Sequence, residues 1–256
     1  MNARELYDPE FRKLIKSKKP TIIIPIGSLE QHGAHLPITT DSDIVTEIAS
    51  RLAKKCGFIV FPTISYGVSF EHEPLFSISI SKAILQAHLK KVVESLMNNG
   101  IRSVIILNGH HGNRKTVDNF AKEWWDDDEQ QEEAKRQWKL YDLDPATIGN
   151  KPLVKCECYH YWEFLKHEFD HAGFVETSIM LTISDKVKMK KAKKGLITKD
   201  LSEKERKRIN KLSTQPGGFP QVAKNGVWGD PTDATKKDGE KFLAEIVRNL
   251  AKKCQS

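Results

Sequence analysis

Two short segments of the chain concentrate side chains that commonly bind metal ions. The first contains Glu30 and His32 and continues to Asp41, and the second contains His110. Each segment directly follows an apolar run of the kind that forms a buried strand. Ligands of α/β proteins bind beyond the carboxyl ends of parallel strands. We therefore expect the two segments to meet at one edge of a sheet and to form a site there.

The side chains of these segments suit a particular class of metal ion. Glu30 and His32 lie two positions apart, so their side chains point the same way in an extended loop. Together with Asp41 and His110 they offer two carboxylates and two imidazoles, a set that suits Zn²⁺, Mn²⁺ or Fe²⁺. A carboxylate such as Asp41 can bridge two ions, which together activate a water molecule. Any one of these residues alone could be a hydrogen-bonded loop residue, but their coincidence at two strand ends favours a metal site.

A third cluster places His171 five residues before Glu176. Glu176 falls in the first turns of an expected helix, where the helix dipole favours a carboxylate even without a function. In an active site, Glu176 could bind an ion or orient the nucleophilic water, and His171 could protonate a leaving nitrogen. The residues alone leave the structural and the functional interpretation open.

Strand and helix patterns alternate along the chain, which predicts a parallel sheet with helices on both faces. Residues 185–230 lack a regular pattern and are rich first in lysine and then in glycine and proline. We expect them to form an excursion that covers the site or an interface, within a single catalytic domain of residues 1–256. Strands are predicted over 21–26, 58–61, 104–107 and 153–158, and helices over 5–18, 44–55 (capped by Asp43), 82–98, 115–138, 174–184 and 233–252.

The composition is that of a globular chain long enough for one large domain with a hydrophobic core. The 256 residues include 39% hydrophobic residues and carry a net charge of +7. No apolar run approaches the roughly 18 residues of a membrane span, and the first residues do not resemble a signal peptide. No nucleic-acid-binding motif is present. The cysteines lack the spacing of a zinc knuckle or a thioredoxin-type motif, so all four are expected to be reduced thiols. A cytoplasmic protein without nucleic-acid or membrane partners is therefore expected.

Several segments resemble the motifs of the creatininase family and occur in the same order. This resemblance runs from about residue 20 to the C-terminal helix. It implies a three-layer α/β/α sandwich with a mainly parallel sheet, and metal-dependent hydrolysis of an amide C–N bond in a small-molecule substrate. It also implies two divalent ions per chain and assembly as a homo-oligomer, either a hexamer or a dimer. The matching segments are 26–37, 40–41, 66–69 with His72, 108–110, 171–178 and 226–231.

The resemblance assigns ligands residue by residue. Glu30, Asp41 and His110 match the family's ligands for one ion. His32 and Asp41 match the ligands for the second ion, so Asp41 would bridge the two.

The remaining motif residues receive other roles from the resemblance. His171 matches the position of a proton shuttle, and Glu176 matches the acid of the third motif. Both are therefore candidate catalytic residues. His72 and His111 are candidates for contact with the substrate.

Two departures from the family pattern weigh against creatinine as the substrate. Family members that hydrolyse creatinine have a metal-binding glutamate where this chain has Gly112, so Glu176 is expected to complete that ligand shell. The family's Pro-Gly-Thr segment is also missing, since residues 73–77 read Glu-Pro-Leu-Phe-Ser. These residues should border the substrate.

A formamide hydrolase is therefore the first functional expectation. One subfamily with glycine at that position removes formate from a formylaminopyrimidine ribotide in riboflavin and deazaflavin synthesis, and the net positive charge fits such a phosphorylated substrate. Creatinine hydrolysis and peptide trimming are alternatives, and a non-catalytic metal-binding subunit is an alternative of another class. Structural zinc sites are typically closed by four Cys or His ligands. The mixed carboxylate and imidazole set, which leaves positions for water, favours catalysis.

Overall fold

Four parallel strands form the central sheet of the computed structural model, which describes residues 1–126, 155–168 and 170–255. The strand order is β3-β1-β5-β6, and a separate pair of short antiparallel strands, β2 and β4, follows β1 and precedes the third helix. The α/β architecture with a mainly parallel sheet is as predicted. The strands are β1 Thr21–Ile26, β2 Leu29–Glu30, β3 Ile59–Val60, β4 Ser77–Ile78, β5 Ser103–Asn108 and β6 Lys155–His160.

Helices pack on both faces of this sheet. None of the helices in the described ranges is long and apolar enough to cross a membrane. The helices are α1 Asp8–Lys18, α2 Thr40–Cys56, α3 Lys82–Asn98, α4 Arg114–Asp126, α5 Phe174–Ile183, α6 Glu203–Ser213, α7 Phe219–Val222 and α8 Lys236–Gln255.

Alternating residues of the strands build two separate hydrophobic cores. Ile23 of β1 and Ile105 of β5 belong to the core that includes buried residues of α2, α5 and α8. Their neighbours Ile22 and Ile106 point to the opposite face and pack with residues of α3 and α4. Because both faces are covered, the strand sequences are almost continuously apolar.

Several predicted helix boundaries differ from the structure by about three residues, and the one that bears on the site is the start of α2. Helix α2 begins at Thr40 rather than Ile44, and Asp43 lies inside its first turn instead of capping it. The reason is local: the backbone N–H of Thr40 donates to the carbonyl of Pro37, so the chain already turns there. Asp43 accepts a hydrogen bond from the Thr39 hydroxyl. The earlier start places Asp41 in the first turn of the helix.

The excursion 185–230 is more regular than the sequence pattern indicates, because it contains helices α6 and α7. Helix α6 begins with a capping box, in which Ser202 and Glu205 each accept from the other's backbone N–H. The Ser-x-x-Glu spacing of residues 202–205 is typical of a helix N-terminus and could have predicted this helix. The predicted helix 115–138 is confirmed up to residue 126, and its remainder lies outside the described residues.

The register of the strands brings the ligand-bearing loops together. Ile26, Asn108 and His160 are aligned neighbours at the carboxyl ends of β1, β5 and β6. The backbone N–H of Gly109 donates to the carbonyl of Ile26 at 2.7 Å, which ties the two outgoing loops to each other. The segments that contain Glu30 and His110 therefore leave the sheet at the same edge.

Burial on α3 gives a direct test of the packing. Leu89 is fully buried in the core between α3 and the sheet, whereas Ile84 of the same helix is 58% exposed. We expect Leu89→Ala to lower the free energy of unfolding by about 2–5 kcal/mol, because it leaves a cavity. Ile84→Ala should change it by less than about 0.5 kcal/mol. Urea unfolding of both variants measures the difference, and equal losses would contradict the packing described.

Candidate metal centre and active site

Five segments deliver polar side chains to one buried site at the carboxyl edge of the sheet. Strand β2 and the residues after it, the first turn of α2, the loop after β5, the segment before α5 and the first turn of α5 each contribute. All six residues predicted as metal ligands or catalytic groups are brought together there and are at most 8% exposed. They are Glu30, His32, Asp41, His110, His171 and Glu176.

The ligand atoms of these residues form three overlapping groups. Within each group the atoms lie within 4.8 Å of one another, as a bound metal ion requires. Glu30, His32 and Asp41 each belong to two of the groups. Asp41 is the carboxylate that joins the group of His110 to the group of Glu176, so it is placed to serve two ions at once. The groups are Glu30 with Asp41 and His110; His32 with Asp41 and Glu176; and Glu30 with His32 and His171.

Backbone carbonyls orient the two imidazoles of these groups. His32 Nδ1 lies 3.1 Å from the carbonyl oxygen of Glu30, and His110 Nε2 lies 2.8 Å from that of Val68. If each of these nitrogens donates, the other nitrogen of each ring has a free lone pair. These second nitrogens both face the carboxylate of Asp41: His32 Nε2 lies 3.1 Å from it, and His110 Nδ1 lies 2.9 Å from it. This is the support that metal-binding histidines commonly have.

Two buried carboxylate oxygens indicate that the residues fit a metal ion. Glu30 Oε1 and Asp41 Oδ2 have no well-formed hydrogen bond from the described residues. The nearest nitrogens, His72 Nε2 at 3.0 Å and His110 Nδ1 at 2.9 Å, are not aligned with them for one. A buried carboxylate oxygen without a partner is costly, and a divalent cation would satisfy both.

Charges inside the site shift its pKa values strongly. Burial acts to raise the pKa of Glu30, but His110, His72 and His171 hold it well below its usual value. Burial acts to lower the pKa of His32, but Asp41 and Glu176 raise it to about 10. The pKa of His110 is likewise raised well above its usual value, since Glu30 and Asp41 outweigh its burial. Protons on the imidazoles thus balance the carboxylates in the metal-free site.

His171 differs from the other two imidazoles in its charge state. Its burial and the nearby rings of His32 and His72 lower its pKa well below the usual value, so the ring is neutral. Its Nδ1 lies 3.8 Å from Glu30 Oε1, and its ring centroid lies 4.2 Å from that of His32. A neutral imidazole at the edge of the ligand groups is able to accept or donate a proton.

Glu176 is held from two sides at the start of α5. Its Oε2 accepts the backbone N–H of Ala172 at 2.7 Å, and the Tyr161 hydroxyl lies 3.4 Å from its Oε1. Burial raises the pKa of Glu176 to about 8, even though His32 acts in the opposite direction. Its carboxylate faces His32 Nε2 at 3.6 Å.

A cavity of about 330 Å³ opens onto these groups. His72 and His111, the two residues predicted to contact the substrate, both line it. The excursion 185–230 supplies the opposite wall. The expectation that this excursion covers the site is consistent with this wall. Apart from Trp228, which lies in the matching segment 226–231, the individual wall residues were not singled out, because their place depends on the fold. These residues are Asn210, Ser213, Thr214, Phe219 and Trp228.

Gly112 occupies a position where no side chain fits. A Cβ atom there would lie 2.2 Å from the carbonyl oxygen of Val68 and 2.4 Å from both Glu71 Oε1 and His110 Nε2. Glu71 lines the cavity, and its Oε1 lies 3.7 Å from His110 Nε2. A carboxylate from the loop before β4 therefore lies beside the position where creatinine-hydrolysing relatives have their glutamate. In the sequence, the only sign that Glu71 belongs to the site is its position next to His72.

Comparison with known proteins agrees with this geometry. The creatininase family profile, described as creatinine amidohydrolase, matches residues 4–254. The mycofactocin precursor peptide peptidase of Mycolicibacterium smegmatis is 29% identical over 93% of this chain and 85% of its own length. The creatinine amidohydrolase of Pseudomonas putida is 27% identical over 70% of each chain. A solved crystal structure of a creatinine amidohydrolase (creatininase) superposes with a TM-score of 0.72 at 21% identity over 98% of this chain and 95% of its own.

A match over a shorter part of the chain concerns the expected formamide hydrolase activity. The 2-amino-5-formylamino-6-ribosylaminopyrimidin-4(3H)-one 5'-monophosphate deformylase of Methanosphaera stadtmanae is 37% identical, but over 39% of this chain and 44% of its own length. The specific expectation of a deformylase is thus supported over a minor part of the chain, whereas the family profile covers nearly all of it. With its ligand groups and its fold, the chain belongs to the creatininase family of amidohydrolases.

Proposed function

We propose that the chain hydrolyses an acyclic amide with the help of two divalent ions. Glu30, Asp41 and His110 would hold one ion, and His32, Asp41 and Glu176 the other. The observation that carries this proposal is the sharing of the Asp41 carboxylate between two ligand groups at the floor of a cavity. A structural site would have no need of a cavity beside the ligands, which argues against a non-catalytic metal-binding subunit.

The chemistry divides between the ions and the side chains around them. Two divalent ions supply polarisation of the amide carbonyl and acidification of water. His171 is neutral and lines the cavity, so it can take up the proton that the attacking water loses and then hand it to the leaving nitrogen. Glu176 keeps its carboxylate oriented through the backbone N–H of Ala172.

The walls of the cavity favour an uncharged or apolar substrate group. Phe219 and Trp228 present aromatic rings, while Asn210 and Thr214 contribute neutral polar groups. Among the described residues that line the cavity there is no lysine or arginine to bind a phosphate. We therefore place a peptide amide with an apolar side chain first. The relative that matches most of this chain's length and is named a peptide peptidase supports the same choice.

Formamide cleavage on a phosphorylated riboside is the second candidate. The 37% identity to a deformylase over 105 residues favours it, and so does the net charge of +7. Creatinine is less well supported, because the glutamate of its hydrolases is replaced by Gly112 and Glu71 lies in its place.

The shared carboxylate gives the first test of the metal centre. Asp41→Asn should reduce the bound metal from two equivalents per chain to less than one, because one carboxylate serves both ions. Asp43→Asn is the matched control, since Asp43 lies in the same helical turn but is exposed. Elemental analysis after loading with Zn²⁺ or Mn²⁺ gives the stoichiometry. Two equivalents retained by Asp41→Asn would contradict the dinuclear site.

Metal binding should release protons and weaken on acidification. At pH 7 the metal-free chain holds protons on His32, whose pKa is about 10, on His110 and on Glu176, whose pKa is about 8. Ions can bind only when these protons leave, so apparent affinity should rise with pH. Calorimetric titration with Zn²⁺ in buffers of different ionisation enthalpy measures the release, which we expect to be about two to three protons per chain. Absence of release would show that these groups are not the ligands.

A substrate panel decides between the candidates. Metal-loaded protein should cleave short peptides with apolar side chains faster than the formylaminopyrimidine ribotide, and creatinine slowest. Release of amine, formate and creatine measures the three rates. His171→Ala is the control for chemistry at this site and should lower turnover roughly 10²–10⁴-fold without loss of metal. A faster release of formate would favour the second candidate, and creatinine as the best substrate would contradict the proposal of an acyclic amide.

A further inference from the structure

The side-chain amide of Gln31 lies between two histidines of the cavity wall. Its Nε2 is 2.9 Å from His72 Nδ1 and 3.0 Å from His171 Nε2. Its Oε1 accepts the backbone N–H of Gly33 at 3.0 Å. Since the oxygen is already committed to an N–H donor, the orientation of the amide is determined and its NH₂ group is the one that faces both rings.

Neighbouring residues hold this arrangement in place. A Cβ atom at Gly226 would lie 1.9 Å from Gln31 Oε1, so only glycine leaves room for the amide. The ring of Phe219 packs on the other side, with its centroid 4.5 Å from that of His72 and 4.8 Å from that of His171. Phe219 therefore packs against both imidazoles that face the amide.

The NH₂ group has a clear consequence for His72. An amide nitrogen only donates, so His72 Nδ1 must accept, and the neutral ring carries its proton on Nε2. That nitrogen faces Glu30 Oε1 at 3.0 Å. Gln31 thus places the proton of His72 on the nitrogen that lies beside a carboxylate we propose as a metal ligand, although this N–H is not aligned for a hydrogen bond with it.

His171 has two partners on the same residue. Its Nε2 lies 3.0 Å from the amide nitrogen of Gln31 and also 3.0 Å from the backbone carbonyl oxygen of Gln31. A bare Nε2 can accept from the amide, and a protonated Nε2 can donate to the carbonyl. The opposite nitrogen, Nδ1, faces the ligand groups. Either neutral tautomer of His171 therefore keeps a hydrogen bond.

We propose that Gln31 is a positioning residue that sets the proton positions of both histidines. It holds the proton of His72 on Nε2, and it allows His171 to exchange between its two neutral tautomers without losing a hydrogen bond. Only the consequence for turnover rests on the proposed function, because it assumes that His171 transfers a proton. The tautomer of His72 follows from the geometry alone.

The test compares variants that change the donor but preserve the size of the side chain. Gln31→Glu replaces the NH₂ group by an acceptor, so the His72 proton should move from Nε2 to Nδ1. Gln31→Met removes both groups and should leave a mixture of tautomers. Long-range ¹H–¹⁵N correlation spectra of zinc-loaded protein labelled at histidine report the tautomers, and the missing signals of His72→Phe and His171→Phe provide the assignment.

Metal content and turnover complete the experiment. Both Gln31 variants should retain their metal and lose roughly 10–100-fold in turnover, as for other outer partners of metal sites. Gln255→Glu, an exposed change of the same type at the end of α8, should alter neither tautomer nor turnover. A His72 proton that stays on Nε2 in Gln31→Glu would overturn the proposal. Since the spectra need no substrate, they decide on Gln31 even if the proposed reaction is wrong.

Discussion

The cost of burying Asp41 is the constraint on which the site depends. This carboxylate is 2% exposed and lies about 3 Å from two imidazoles, His32 and His110. A buried charge without compensation costs several kcal/mol. Here the compensation comes from three sources: the imidazoles, the N-terminus of α2 and, in the loaded site, the cations. The loops after β1 and β5 must therefore meet at the start of α2, and the register of the sheet makes them do so.

The cavity combines a floor and a wall with different physical origins. The floor is built on the ends of buried strands and on helix termini, which fix side chains to within the tolerance that metal binding demands. The facing wall comes from an excursion that packs over the floor through Phe219 and Trp228. A division of this kind lets the wall vary in sequence while the ligand groups stay in place. Within a family of amidohydrolases, it gives a physical reason why one ligand arrangement can serve different amides.

The sequence was sufficient to predict the sheet, most helices and the ligand-bearing loops. Glu30, His32 and His110 follow apolar runs that could only be buried strands, so their common edge was predictable. The place of Glu71 beside His110 was not predictable. It depends on the space left free at Gly112, and that contact between distant loops appears only in the folded chain. The start of α2 at Thr40 was missed because it depends on local hydrogen bonds of Thr40 to the carbonyl of Pro37, which the apolar pattern does not reveal. Gln31 was overlooked for a similar reason, since its partners lie 41 and 140 residues away.

The pairing of Gly112 with Glu71 has a consequence for how such sites can diverge. Two positions 41 residues apart compete for one small volume beside His110, so they cannot mutate independently. A glutamate introduced at 112 would collide with the carboxylate of Glu71. Loss of Glu71 alone would leave Glu30 Oε2, 3.3 Å from His110 Nε2, as the carboxylate oxygen beside that nitrogen. Removal of Glu71 would not by itself make room for a side chain at 112, because the added Cβ would still lie 2.2 Å from the carbonyl oxygen of Val68. An exchange of the two arrangements therefore requires the backbone around Val68 to shift as well as the carboxylate of Glu71 to leave.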